Sequence, residues 1–243
     1  MTLTDSSPAR HAMSMQTPIL EAAAVTKTYR SGSVAVEALR GIDLTVARGE
    51  MLTVMGPSGH GKTTLLNCLS GLDAIDSGSV VVAGANIHTM SDRARTEHRA
   101  TTMGFIFQSF NLIPVLSAAE NVELPLLATG TRSSEARGLA NAMLEKVGLA
   151  DRLGHRPNEM SGGEQQRVAI ARALVTDPDI IWADEPTGNL DSATAEVILE
   201  LLFEVNAAGQ TLVVVTHDEA IGRSGHRLVR IVDGRIADQE TTR

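Results

Sequence analysis

The sequence predicts an α/β fold built around a mainly parallel sheet, on three observations. Short aliphatic runs of strand length alternate with stretches of helical periodicity. The run Met51–Met55 leads into a glycine-rich loop and then a helical pattern over Lys62–Leu69. A second aliphatic run, Ile180–Ala183, ends in two adjacent carboxylates, Asp184 and Glu185. With 243 residues there is room for one large domain or two small ones with a sizeable core.

Residues 1–18 are polar, carry Arg10 and His11 but no apolar stretch of a signal peptide, and read as a disordered tail, leaving 19–243 as the ordered part. Within that part, Met51–Met55 is a strand and Lys62–Leu69 a helix, with Gly71 near its C-terminus. Ser79–Ala83 reads as one strand of a small hairpin. From roughly 109 to 163 the pattern turns helical. Ser117 and Glu120 have the spacing of a capping box, and Leu139, Met143, Leu144 and Val147 recur at helical intervals. The α/β pattern then returns with Ile180–Ala183. Val197, Ile198, Leu201, Leu202 and Val205 form one helix face, and Leu212–Thr216 is another strand. Asp233 and Gly234 are the turn of a terminal hairpin joining Leu228–Val232 to Arg235–Ala237.

Composition narrows the function classes. The net charge of −8 argues against a nucleic-acid binder, because phosphate contacts need Lys and Arg. The single cysteine, Cys68, allows no intrachain disulfide, fits a reducing cytoplasm, and is expected in the packed core, as is Trp182. No apolar run approaches the ~18–20 residues that span a bilayer, so a membrane role would have to come through a partner.

The chemistry starts at Gly56-Pro57-Ser58-Gly59-His60-Gly61-Lys62-Thr63, followed by Thr64. It fits the phosphate-loop pattern G-x-x-x-x-G-K-[ST] and lies between a predicted strand and a predicted helix, as the mechanism requires. Glycines let the backbone curl so that several N–H groups point inward, and the helix N-terminus adds partial positive charge. Lys62 can reach β- and γ-phosphates, and the Thr63 hydroxyl can bind Mg²⁺. Chance matches occur in about 1% of chains this long, so the strand–loop–helix context decides. Asp184 and Glu185 end their strand on opposite faces. Asp184 is placed to hold Mg²⁺ and Glu185 to polarise the attacking water.

A second anion cradle follows at Met160-Ser161-Gly162-Gly163-Glu164-Gln165-Gln166-Arg167, where a capping serine and two glycines open a helix. One chain needs only one such cradle, so two suggest that a second chain completes the site. Met160–Glu164 resembles the L-S-G-G-Q signature of ABC ATPases, with Met for Leu and Glu for Gln. The resemblance runs from about Ile19 to the end. It implies a RecA-like P-loop NTPase core with an antiparallel β subdomain and an inserted α-helical subdomain. It places Tyr29, the only tyrosine, against adenine and makes Gln108 the Q-loop residue that touches Mg²⁺ and water. Gly188-Asn189-Leu190-Asp191 resembles the D-loop, with Asp191 in the nucleotide site, and His217 matches the switch histidine at the γ-phosphate. His60 stands where Ser is common. That position works mainly through its backbone, so the change should be tolerated. Glu164 would bring a negative charge near the nucleotide.

The same resemblance implies that two cassettes pair head to tail. ATP then lies between the phosphate loop of one and Ser161–Gly163 of the other. No heptad pattern separates Lys62 from Ser161, unlike chromosome- and repair-type members. The stretches Phe105–Pro114, Glu120–Pro125 and Ala183–Asp191 are similar to the group of macrolide exporters, lipoprotein-releasing ATPases and the cell-division ATPase. Those work with permeases that have four membrane helices and a large extracytoplasmic domain. Two readings follow: a transporter or mechanotransmission motor on the inner face of the membrane, and a regulatory or scaffolding ATPase in cell division or nucleic-acid maintenance.

Overall fold

A computed structural model of the chain describes residues 17–32 and 34–242. The tail expected over 1–18 therefore lies outside the described residues except for Thr17 and Pro18. Two sheets form the scaffold. The first is antiparallel, in the order β2-β1-β4-β5, from β1 (Leu20–Ser31), β2 (Val34–Val46), β4 (Ser77–Val82) and β5 (Ala85–Asn86). The second has the order β10-β9-β3-β8-β7-β6, from β3 (Met51–Met55), β6 (Met103–Phe107), β7 (Ile180–Asp184), β8 (Thr211–Val215), β9 (Arg227–Val232) and β10 (Arg235–Thr241). Strands β9, β3, β8, β7 and β6 run parallel, and only β10 pairs antiparallel, as the last arm of the terminal hairpin.

The parallel strands are buried on both faces, which is why they read as unbroken aliphatic runs. Alternation sorts their side chains. Val213 and Val215 of β8, with Trp182, face the core shared with the antiparallel sheet and α1 (Lys62–Leu69). Leu212 and Val214, with Ile181 and Ala183, face the other way onto α5 (Gly162–Leu174) and α6 (Ser192–Ala207). Each such valine or leucine contributes roughly 1.5–3 kcal/mol by leaving water. Cys68 and Trp182 are fully buried, as expected of core residues.

A third cluster is built by α3 (Ala118–Ala128), α4 (Ser133–Lys146) and the face of α5 that carries Val168, Ala171 and Val175. Ser117 and Glu120 make the expected capping box. Leu144 and Val147 are buried as expected and Met143 packs partly buried against them, while Ala136 and Ala140 complete the stripe. Leu139, expected on that face, is instead 46% exposed. Val197 of α6 is likewise exposed, while Ile198 and Leu202 point inward. The strand expected at Ser79–Ala83 begins at Ser77 and ends at Val82, since Ala83 and Gly84 turn the chain with φ of +50° and +80°. Strands β1, β2 and β6 and the polar helix α2 (Asp92–Thr102) are further elements. Helix α7 (Glu219–Gly222) is a single turn capped by Asp218.

Candidate nucleotide site

The site grows from the C-terminal ends of β3, β7 and β8, where the parallel strands open onto loops. After β3 the chain enters the glycine-rich loop. Its first glycine, Gly56, has φ +153°, and a Cβ there would sit 2.0 Å from the carbonyl oxygen of Ile231 in β9. The loop closes at Gly61, φ +99°, directly before α1. Inside it the buried Lys62 ammonium donates to the carbonyls of Gly56 at 2.7 Å and Pro57 at 3.1 Å. The cation is therefore held over the loop by the loop's own backbone.

Asp184 ends β7, and its Oδ1 accepts from the Thr63 hydroxyl at 3.3 Å. Burial pushes the Asp184 carboxyl above its usual range, opposed by that hydroxyl. Glu185 follows with φ +49°, a left-handed conformation costing on the order of 1 kcal/mol or more for a non-glycine residue. Its N–H donates to Val215 at 2.9 Å, and its Oε2 lies 2.9 Å from Nδ1 of His217, beyond the end of β8. Neighbouring strands thus deliver a carboxylate and an imidazole to one point.

These residues surround a cleft of about 510 Å³. Tyr29, Ser58, Gly59, His60, Gly61, Lys62, Thr63, Thr64, Gln108 and Glu185 line it; Asp184 reaches it through Thr63 and His217 through Glu185. Glu37, Arg40, Asp233 and Gly234 line it as well, none of them named from the sequence as site residues. Only the turn character of Asp233-Gly234 was a usable signal.

Three of the residues expected in the site also make contacts within the chain. His60 does not act through its backbone alone: its Nδ1 accepts from the Asp233 N–H at 3.0 Å and lies 3.2 Å from the Asp233 carboxylate. The ring pins the phosphate loop to the terminal hairpin, a contact serine is too short to make. Gln108 lines the cleft, but its Nε2 donates to Asn189 Oδ1 at 3.3 Å, and the Asn189 amide donates back to the Gln108 carbonyl at 3.0 Å. Its side chain rests against Gly188. Asp191 caps α6, accepting from the Thr194 N–H at 3.0 Å and its hydroxyl at 2.7 Å. The hydroxyl and then the N–H lower its pKa.

Glu164 is held within the chain as well. Ser161 caps α5, its hydroxyl accepting from the Glu164 N–H at 3.2 Å. The Glu164 carboxylate accepts from the Ser161 N–H at 2.8 Å and, through its other oxygen, from Arg152 Nε at 2.8 Å. Both oxygens are engaged within the chain, so the charge serves the helix start. The Ser161 N–H, followed by Arg152, brings the Glu164 pKa down to about 2. Because the folded pKa is depressed, this stability is present above the usual carboxylate range, from about pH 5 upward, and is lost as pH falls toward 2. Glu164→Gln is expected to lower stability at neutral pH by about 1 kcal/mol and to flatten the acid branch of the denaturation curve. Chemical melts from pH 7 to 2 check this; altered ATP affinity with an unchanged acid branch would return Glu164 to the nucleotide. Ser161, Gly162, Gly163 and Glu164 do not line the cleft of their own chain. Gly163 packs instead against Thr194 of α6, where a Cβ would come within 2.4 Å of a methyl group.

A family model described as ABC transporter matches residues 39–188, more than half of the chain. The chain belongs to the ABC transporter family. An uncharacterized ABC transporter ATP-binding protein of Thermotoga maritima is 51% identical, the match covering 90% of this chain and 93% of that one. The lipoprotein-releasing system ATP-binding protein LolD of Geobacter metallireducens is 48% identical over 90% of this cassette and 97% of its own length. The macrolide export ATP-binding/permease protein MacB of Hyphomonas neptunium is 44% identical over 91% of the cassette but only 34% of its own chain. Among solved structures, the dimeric post-hydrolysis state of the ATP-binding cassette MJ0796 bound to ADP and Pi has a TM-score of 0.85 at 43% identity, covering 92% of this chain and 99% of that one. The cassette is therefore a P-loop NTPase that binds and hydrolyses ATP as the ATP-binding subunit of an ABC transporter.

Proposed function

We propose that this ABC cassette works as a homodimer that binds two ATP molecules with Mg²⁺ between facing subunits. Its closure would drive a membrane permease. One observation carries the reading: the phosphate loop and the Ser161–Gly163 cradle are separate on a single chain, so each cleft lacks a second set of N–H donors. A partner in head-to-tail orientation would supply them. ATP then acts as an adhesive, its charge satisfied from both sides.

The donor set suits Mg²⁺. Thr63 and Asp184 offer hard oxygens side by side, and such an ion completes its shell with phosphate oxygens and water. Bound there it would neutralise charge on the β- and γ-phosphates. The remaining steps fall to the protein. Lys62 would hold the terminal phosphates and Tyr29 stack on adenine. Glu185, oriented by His217, would take a proton from the attacking water. Asn189 ties Gln108 to the segment leading to α6, and Arg172 of α5 donates to the Phe110 carbonyl at 2.8 Å just beyond Gln108. The Gln108 loop is thus joined to the helix that begins with Ser161, a route by which a permease contact could be coupled to the cradle.

No helix among the described residues is long and apolar enough to cross a membrane. We assign the membrane part to a permease with four membrane helices and a large extracytoplasmic domain, reached from the inner face; the likeness to a lipoprotein-releasing system ATP-binding protein and a macrolide export ATP-binding/permease protein supports a partner in membrane transport. The test is affinity capture of the Glu185→Gln cassette with MgATP from detergent-solubilised native membranes. Co-purification of a four-helix permease is the expected result. A permease of another architecture would overturn the subgroup, and only soluble proteins or nucleic acid would favour the regulatory alternative.

A further inference from the structure

We propose that Lys27 and Asp73 are positioning residues that lock the Tyr29 ring into a rigid, single-faced platform for the nucleobase. The inference rests on the reading of Tyr29 as the adenine contact and adds what holds it. Tyr29 is 42% exposed and lies where β1 has lost one neighbour: pairing with β4 ends at Thr26–Ser77. Beyond that point the open edge of β1 is held by the loop that continues from α1. The Asp76 N–H donates to the Thr26 carbonyl at 2.9 Å, and the Asp76 carboxylate accepts from the Thr28 N–H at 2.7 Å.

Asp73, in the same loop, divides its oxygens. Oδ2 accepts from the Tyr29 hydroxyl at 2.8 Å; Oδ1 accepts from Lys27 Nζ at 2.8 Å and the Ala74 N–H at 2.7 Å. The Lys27 ammonium also donates to the Ala74 carbonyl at 2.7 Å and sits 5.0 Å from the centre of the Tyr29 ring. A register shift between Lys27 and Thr28 interrupts the strand's alternation here, and it is the ammonium lying over the ring that puts Lys27 and Tyr29 on one side. The ring is fixed at its hydroxyl and occupied on one side by a cation, which leaves the other side for a base.

The electrostatics agree. Burial would lower the Lys27 pKa, but Asp73 outweighs it and the net shift is upward. Burial would raise the Asp73 pKa, but the hydrogen bonds from Lys27 and Tyr29 bring it down. Burial, then Asp73, raises the Tyr29 phenol. At neutral pH the cluster therefore stays as ammonium, carboxylate and neutral phenol. Since Asp73 belongs to the continuation of α1, base platform and phosphate loop hang on one element.

Holding a side chain in its bound rotamer beforehand is worth about 3- to 10-fold in affinity. Tyr29→Phe keeps the ring and removes the tether; Asp73→Asn removes the charge. Binding of MgATP and of inorganic tripolyphosphate, which has no base, is measured by calorimetry on the full chain. Both variants are expected to lose about 3- to 10-fold for ATP and to keep their response to tripolyphosphate. Because Tyr29 is the only tyrosine, its ionisation is read directly from tyrosinate absorbance and should fall toward the usual phenol range in Asp73→Asn. Wild-type ATP affinity in Tyr29→Phe, equal losses for both ligands, or an unmoved phenol titration would each overturn the lock. Undiminished ATP affinity in Tyr29→Ala would overturn the stacking reading itself. Loss in Tyr29→Ala with none in Tyr29→Phe would leave the platform standing and the lock refuted.

Discussion

Lys62→Ala is expected to lower kcat/KM for ATP by at least about 100-fold, the scale on which removal of one well-placed charged donor acts. The structure gives the reason. Lys62 is 9% exposed, and its ammonium is already gathered onto the Gly56 and Pro57 carbonyls, inside the loop whose N–H groups are to meet phosphate. Arg40 of β2 is a further cation lining the same cleft. Steady-state ATPase assays with a thermal melt as control check the result. Near-normal turnover in a folded variant would sink the phosphate-loop assignment.

Glu185→Gln is expected to bind ATP, to hydrolyse it about 10²- to 10⁴-fold more slowly, and to accumulate as a dimer. Glutamine keeps the shape of the side chain and can still face His217, so the left-handed backbone at φ +49° and its bond to Val215 are undisturbed. Only the capacity to take a proton from water is lost. A nucleotide that is bound but not cleaved keeps its adhesive charge, and the two subunits stay together. Light scattering with and without MgATP measures this directly; a monomer at saturating MgATP would count against the two-subunit site.

Much of this site could be read locally. Met51–Met55, the glycine loop and Lys62–Leu69 are consecutive, and their meaning depends on neighbours in sequence, so strand, loop and helix appear with the expected bounds. The strand ending at Asp184 is legible for the same reason. Strands β1 and β2 are not, because register shifts between Ala22 and Val25 and between Lys27 and Thr28 break the two-residue alternation. Helix α2 buries none of its residues and so shows no apolar stripe, although Ser91 caps it as the sequence could have suggested. Glu164 is the instructive case. It stands three residues after Ser161, as Glu120 stands after Ser117, and both pairs form capping boxes. The helix-start meaning is legible from that spacing alone. His60 with Asp233, and Tyr29 with Asp73, join residues distant in sequence, and no local pattern announces them.

The terminal hairpin has a consequence for how the protein is made. Gly56 lies directly against Ile231, the His60 carbonyl accepts from the Gly234 N–H, and the Gly234 carbonyl accepts from the Arg40 N–H, so β9 and its turn form the floor beneath the phosphate loop. His60 and Asp233 are 173 residues apart. At ribosomal speeds that gap lasts roughly 10–35 s, during which the emerging loop has no floor. The grip on ATP is thus among the last properties the nascent chain acquires. A product released before β9 would carry the complete glycine motif and still lack the surface that shapes it.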